Sequence, residues 1–466
     1  MKKCKLLSLL LILVLLFSLL PLQVTADEAA VPPDIEAKAG MLIELNSNTI
    51  LYEKEADTRI YPASLTKIMT CLVALENSTL TDTVTVTEAA FDGLGEFSST
   101  AGLFAGEMLS MENLLYCMMI SSANEACNIA AISIAGSVDA YVEMMNQRAQ
   151  ELGCKDTHFA NTHGLHNENH YTTARDLSII TREALKNNTV RSIVSTYTYT
   201  VPPTNLAGSR TLTTTNSLMN PGAPRYYDKR VNGVKTGFTT PAGRCLIATA
   251  QEGTISLLSI VCGCETRILS TGDLEFVSFP ETKKLLEFGF SNYTYETVLT
   301  TLYPLAEIKV LNSAGADYVS LSPKEEITVL LPAGFKTEEI QITTSLIDPN
   351  GVSAPIAAGQ ELGTVNLLYH DQLIGTTPLV AINSVEKAAT ILPQIQPTPQ
   401  APAVPGTEGS APQTPGTVRT PTGMEKWLLV AVAVVVTLCA LMLILIIAHK
   451  SRVRRMRRER QQQRTR

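Results

Sequence analysis

The sequence predicts an α+β domain, an antiparallel sheet with helices, followed by a small all-β domain and a C-terminal transmembrane helix. Three observations predict this architecture. Strand-like segments stand at both ends of a helical stretch between Ala37 and Val261, a pattern in which sequence-distant strands pair. After Tyr293, short apolar segments are separated by Gly, Pro, Asn and Asp. Trp427–Ala448 is an uninterrupted apolar run of 22 residues, about 33 Å long as a helix at ~1.5 Å per residue.

The elements follow in chain order. Lys2, Lys3 and Lys5 precede an apolar run from Leu6 to Leu20, and Val24-Thr25-Ala26 follows. A charged start, an apolar core and small residues at the end make residues 1–26 a secretory signal peptide. Met41–Leu45 and Thr49–Tyr52 flank the polar turn Asn46-Ser47-Asn48 and form a hairpin. Ile68, Met69, Leu72, Val73 and Leu75 follow Ser64 at helical spacing, and Leu114, Leu115, Met118 and Met119 mark another helix that Ser110 can cap. Strands return at Cys245–Ala250 and Ile255–Val261, joined through Glu252-Gly253. Residues 27–292 are therefore one domain.

Ile308–Leu311, Ile327–Leu331, Ile340–Thr344 and Leu362–Tyr369 are short strands of an all-β domain over residues 293–388. Residues 389–426 are a Pro-rich linker that buries nothing and acts as an extended spacer. Residues 427–448 are the transmembrane helix and 449–466 a basic tail, with nine Lys or Arg and one Glu from Lys450 onward. So many cations stay in the cytoplasm, which places the preceding domains outside a single-pass protein of the cell membrane.

Charge narrows the partners. The chain carries −7; with the +8 of the tail and the +3 of the leader set aside, −18 remains on residues 27–449. An external part so acidic does not select polyanions, so no nucleic acid is expected, and the basic tail meets anionic lipid. The exported part holds seven cysteines, Cys71, Cys117, Cys127, Cys154, Cys245, Cys262 and Cys264, without a repeating spacing. They read as small core residues and not as a disulfide framework.

Three short motifs carry chemistry. Ser64-Leu65-Thr66-Lys67 opens the first long helix after Pro62, Ser122-Ala123-Asn124 stands between two helical patterns, and Lys235-Thr236-Gly237 precedes the late strands. A serine at a helix N-terminus lies near positive potential, where an oxyanion is stabilised. Lys67, three residues on, shares its face. As a base it must be neutral, and burial with Lys235 nearby lowers its pKa. Ser122 relays a proton to the leaving group. Asn124 offers amide contacts, Lys235 and Thr236 suit a terminal carboxylate, and Gly237 leaves room for a peptide along the strand edge. Ser-x-x-Lys alone is weak, since Ser384-Val385-Glu386-Lys387 also fits. Three motifs in order on an exported chain form a specific signal.

With these motifs, the sequence resembles the serine-type D-alanyl-D-alanine carboxypeptidases, the low-molecular-mass penicillin-binding proteins. Tyr61–Thr70 carries most of the likeness, joined by Asn161–Leu165, His170–Ala174, Thr215-Asn216, Val231–Gly237 and Ala242-Gly243. The resemblance covers about residues 35–385, including the β domain. It implies a serine β-lactamase/transpeptidase-like catalytic fold and no cofactor. It also implies Ser64, Lys67 and Ser122 as catalytic residues, and peptidoglycan stem peptides as substrate, with β-lactams as inhibitors. An oxyanion hole of the Ser64 and Phe238 backbone N–H groups is implied too.

Four positions depart from the family pattern. Ala123 stands where many members have Gly, Glu125 where many have Asp, Phe238 where His is common, and Arg244 in place of a frequent aromatic. His163, His166 and His170 are spaced closely, but a loop separates them and no Cys or carboxylate completes a metal site. Two other functions remain open on the same fold: a β-lactamase-like hydrolase, for which Glu168 is the one acid to consider, and a non-catalytic wall-binding scaffold. Release of D-alanine from a pentapeptide analogue separates them.

Overall fold

The computed structural model describes residues 31–96 and 98–389. The leader, nearly all of the Pro-rich linker, the apolar run Trp427–Ala448 and the basic tail lie outside the described residues. Among those described, no helix is long and apolar enough to cross a membrane.

The first folded region is built on five strands: β1 (Ala39–Glu44), β2 (Ile50–Lys54), β3 (Lys235–Thr239), β4 (Gly243–Glu252) and β5 (Ile255–Cys264). Their order is β2-β1-β5-β4-β3, and every neighbour pair is antiparallel. The hairpin and the late pair stand where the sequence expects them. The expected pairing of sequence-distant strands is that of β5 with β1, and what periodicity could not supply is its register, which sets Met41 opposite Ile260. β1 is buried along its whole length, so it reads as a continuous apolar run and not an alternation.

Helices α1 (Lys67–Asn77), α2 (Met111–Ile120), α3 (Asn124–Ala135), α4 (Val138–Glu151) and α5 (Ala174–Lys186) cover one face, and α6 (Ser278–Asn292) covers the other. Successive strand residues point to opposite faces. Met41 and Ile43 accordingly join the core of Leu72 and Leu115, while Leu42 joins that of Leu285 and Leu286. Ser110 caps α2 by accepting from Asn113 N at 3.2 Å.

The β domain contains β6 (Tyr293–Leu299), β7 (Ala306–Leu311), β8 (Tyr318–Pro323), β9 (Ile327–Pro332), β10 (Ile340–Leu346), β11 (Val352–Ser353), β12 (Glu361–Tyr369) and β13 (Gln372–Ala381). β6 pairs with β9, and the others form a sheet of order β10-β12-β13-β8-β7-β11. β8 and β13 escape the sequence reading because Pro323, Gly375 and Pro378 lie inside them, residues that normally interrupt a strand. The two folded regions meet at Glu44. Its buried carboxylate accepts from Tyr295 Oη at 2.6 Å, Ser47 N at 2.7 Å and Ser256 N at 3.1 Å. The seven described cysteines are free, and all but Cys154 are buried.

Candidate active site

The nucleophile turn is shaped from below. Ala63–Thr66 is a 3₁₀ turn leading into α1, and Ala63 has a φ of 49°, a left-handed value an alanine adopts only under constraint. The constraint is visible. His170 Nδ1 accepts from Ala160 N at 3.0 Å, so Nε2 carries the proton and donates to Thr66 Oγ1 at 2.7 Å. Thr66 Oγ1 in turn donates to Ala63 O at 2.8 Å. Gly164, with a φ of 89°, lies over the same turn so closely that a Cβ there would stand 1.8 Å from Ala63 O.

A 3₁₀ turn eclipses residues i and i+3. Lys67 Nζ accordingly lies 3.1 Å from Ser64 Oγ. The amine also donates to Asn124 Oδ1 at 2.6 Å and to His163 O at 2.8 Å. Those two partners are acceptors only. A neutral amine has two N–H groups and one lone pair, so these bonds use both hydrogens and direct the lone pair to the Ser64 hydroxyl. Burial lowers the Lys67 pKa, as the sequence requires of a base. Lys235 is lowered further, first by burial and then by the charge of Lys67. The repulsion expected to act on Lys67 thus weighs on its neighbour.

The second motif sits at a break between helices. Ser122 is buried at a φ of 62°, between α2 and α3, and Asn124 begins α3. The Asn124 amide donates to Ser98 Oγ while its oxygen faces Lys67. Glu125, also buried, accepts from Thr100 Oγ1 at 2.6 Å and Ala101 N at 2.7 Å. It ties residues 98–101 to the head of α3.

The third motif is the edge strand β3. A Cβ on Gly237 would lie 3.1 Å from Pro62 O and 3.2 Å from Ser64 N. Its missing side chain lets the strand approach the nucleophile turn, a tighter demand than the room for a peptide read from sequence. Thr236 Oγ1 pairs with Thr215 Oγ1 at 2.5 Å. Lys235 is buried and its amine donates to Thr236 O at 3.1 Å.

A cleft of about 500 Å³ brings Ser64, Ser122, Asn124, Thr236, Gly237 and Phe238 together. Lys67 and Lys235 lie beneath its wall, buried. Sequence reasoning missed Ser98, Thr215 and the His163 carbonyl as site components. Asn161 holds the last by accepting from His163 N and Gly164 N at 3.3 and 2.7 Å, and the Asn-Thr-His-Gly run is the signal that marks such a turn. His163 and His170 are held neutral by burial, their pKa values pushed down to about 3. His166 is exposed and packs edge-on against Tyr61. Glu168 is exposed and does not line the cleft. The decoy Ser384 and Lys387 lie in a segment without a helix.

Comparison with known proteins identifies the family of this fold. Residues 25–266 match the D-alanyl-D-alanine carboxypeptidase family, and residues 296–387 match the penicillin-binding protein 5 C-terminal domain. The D-alanyl-D-alanine carboxypeptidase DacF of Bacillus subtilis is 31% identical over 394 residues, 83% of this chain and 96% of the relative. Penicillin-binding protein 5 of Haemophilus influenzae superposes with a TM-score of 0.56 at 30% identity, covering 77% of this chain and 99% of that one. The Streptomyces K15 DD-transpeptidase gives 0.50 at 31% identity, over 56% and 99%. By sequence, fold and site, the chain belongs to the D-alanyl-D-alanine carboxypeptidase family.

Proposed function

We propose that Ser64 carries out the family's reaction on peptidoglycan stem peptides, removing the terminal D-alanine through an acyl-enzyme. Lys67 takes the Ser64 proton as Oγ bonds to the carbonyl carbon of the penultimate D-alanine. The Ser64 and Phe238 N–H groups stabilise the oxyanion. The C–N bond breaks, the leaving amine receives the proton by way of Ser122, and D-alanine departs. Water then hydrolyses the ester, with Lys67 again as base. Asn124, Thr236 and Gly237 hold the peptide along β3, and Lys235, buried beneath the cleft wall, donates to Thr236 O. Penicillins acylate the same serine.

The observation that carries this reading is the placement of Lys67 Nζ, 3.1 Å from Ser64 Oγ and held by the acceptors Asn124 Oδ1 and His163 O, from which a neutral amine turns its lone pair to the hydroxyl. No Asp or Glu lines the cleft among the described residues, which disfavours a β-lactamase with a deacylating carboxylate. Ser64→Ala removes one hydroxyl. It is expected to abolish D-alanine release and labelling by a fluorescent penicillin, with the wild-type adduct mapping between Ile60 and Lys67. An adduct on Ser122 or Ser384 overturns the assignment.

The same proposal covers the chain's placement. The signal peptide, a domain division at residues 292–293, the linker 389–426, the span 427–448 and the tail 449–466 make a single-pass protein. Its catalytic domain lies outside the membrane, and its cytoplasmic tail meets anionic lipid. Protease added to protoplasts should leave a C-terminal tag intact; digestion of the tag reverses the topology.

A further inference from the structure

A second concavity, of about 770 Å³, shares no lining residue with the Ser64 cleft. It opens among the β1–β2 turn, the C-terminal half of α5, the short helix Asn188–Val194 and the hairpin end of β4 and β5. Its volume is in the range of small-molecule sites. Leu45, Leu152, Leu185 and Val194 make part of its wall apolar.

The polar part of the wall is cationic. Among the described lining residues Glu183 is the one carboxylate, and it is already engaged by Lys186 at 2.7 Å and Arg148 at 3.5 Å. Arg182 and Arg191 also line the groove, and neither has a carboxylate partner among the described residues. Arg182 donates to Asn48 Oδ1 at 2.7 Å, and Arg191 donates to Leu185 O, to Lys186 O at 3.3 Å and to Asn188 Oδ1. These acceptors are neutral, so they position the two guanidiniums and leave both charges uncompensated. On an external part that carries −18, two such charges in one concavity select an anion locally.

A hydroxyl adds to the case. Thr249 of β4 lines the same groove, is only 7% exposed, and has no side-chain hydrogen bond among the described residues. A buried hydroxyl without a partner is costly, and a ligand oxygen would satisfy it. Guanidinium forks match the oxygens of phosphate in pairs. The apolar wall and the volume exceed what inorganic phosphate fills, so the anion comes on a carbon skeleton.

We propose that this groove binds a phosphate ester of a polyol or sugar through Arg182, Arg191 and Thr249. The test titrates the full chain, held in a non-ionic detergent, by calorimetry with glycerol 3-phosphate, glycerophosphoglycerol, glycerol and inorganic phosphate. At least one ester should bind more tightly than inorganic phosphate, and glycerol should not bind. Preference for the monoester points to a free phosphorylated polyol, and preference for the diester to a unit of a polymer or lipid headgroup; either supports the site. Arg182→Gln and Arg191→Gln should each weaken ester binding about 10- to 100-fold, the effect of losing a charged hydrogen-bond partner. Thr249→Val, which keeps the shape, should weaken it about 3- to 10-fold. Thermal denaturation shows that each variant is folded, and penicillin labelling of Ser64 should stay at the wild-type level. The proposal is overturned if neither ester binds, if inorganic phosphate binds as tightly as both, or if the folded arginine variants bind like the wild type, as adsorption to the basic tail would give. Should an arginine variant fail to fold, Thr249→Val decides, and wild-type affinity in it overturns the site.

Discussion

Asn124 Oδ1 accepts a 2.6 Å hydrogen bond from Lys67 Nζ. This contact fixes the amine without charging it, because an amide oxygen brings no full negative charge. A carboxylate in the same place favours the ammonium.

Asn124→Asp therefore tests the protonation state of the base. The new carboxylate should raise the Lys67 pKa, so acylation at neutral pH should fall about 10²-fold or more, the scale of a lost general base. Activity should return as pH rises and the amine loses its proton. The measurement is the pH dependence of the penicillin acylation rate; a profile superimposable on that of the wild type refutes a neutral Lys67.

Gly164 answers for the shape of the nucleophile turn. In Gly164→Ala, a methyl carbon would have to share space with Ala63 O, 1.8 Å away, at a φ of 89°. The turn must shift, so stability should drop by about 2–4 kcal/mol and penicillin labelling of Ser64 should be lost in whatever protein remains folded. Thermal denaturation and labelling on the same sample check both, and normal labelling of a stable variant contradicts the packing described.

The buried imidazoles set an acid limit. Burial holds the His163 and His170 pKa values near 3, below the ~6.5 of an unfolded histidine. Between those values the unfolded chain binds protons that the folded one does not, so stability rises with pH across the window and is lost as pH falls. His170→Gln should remove about one proton from this uptake, flattening the slope by about 1.4 kcal/mol per pH unit. Urea midpoints between about pH 4 and 7 read it; an unaltered slope means that His170 titrates normally.

The sequence was most informative where chemistry and local geometry coincide. Ser64, Lys67, Ser122 and Asn124 announce themselves because each helix end and turn needs a particular residue within a few positions. Lys235 was legible as a motif but not in its contacts: whether its amine faces substrate or Thr236 O depends on how β3 lies against the Pro62–Ser64 turn, a non-local packing event. The same limit hid the His163 carbonyl, whose value comes from Lys67 lying 96 positions earlier. Arg244 stood out as a departure, yet the Phe238 and Phe276 rings on which its guanidinium stacks come from β3 and from the 274–276 strand, which no periodicity joins. In the β domain, Pro378 concealed β13 because a proline tolerated in a strand looks the same as one that ends it.

Ser122 holds its hydroxyl on a backbone with a φ of 62°, a conformation that glycine adopts at lower cost. At this position robustness and turnover pull apart: the replacement that relaxes the chain is the one that deletes the proposed proton relay. Any laboratory search for heat-tolerant variants that scores folding alone will drift toward glycine here and enrich proteins that persist but no longer turn over. Only a screen that also reads D-alanine release will keep the serine.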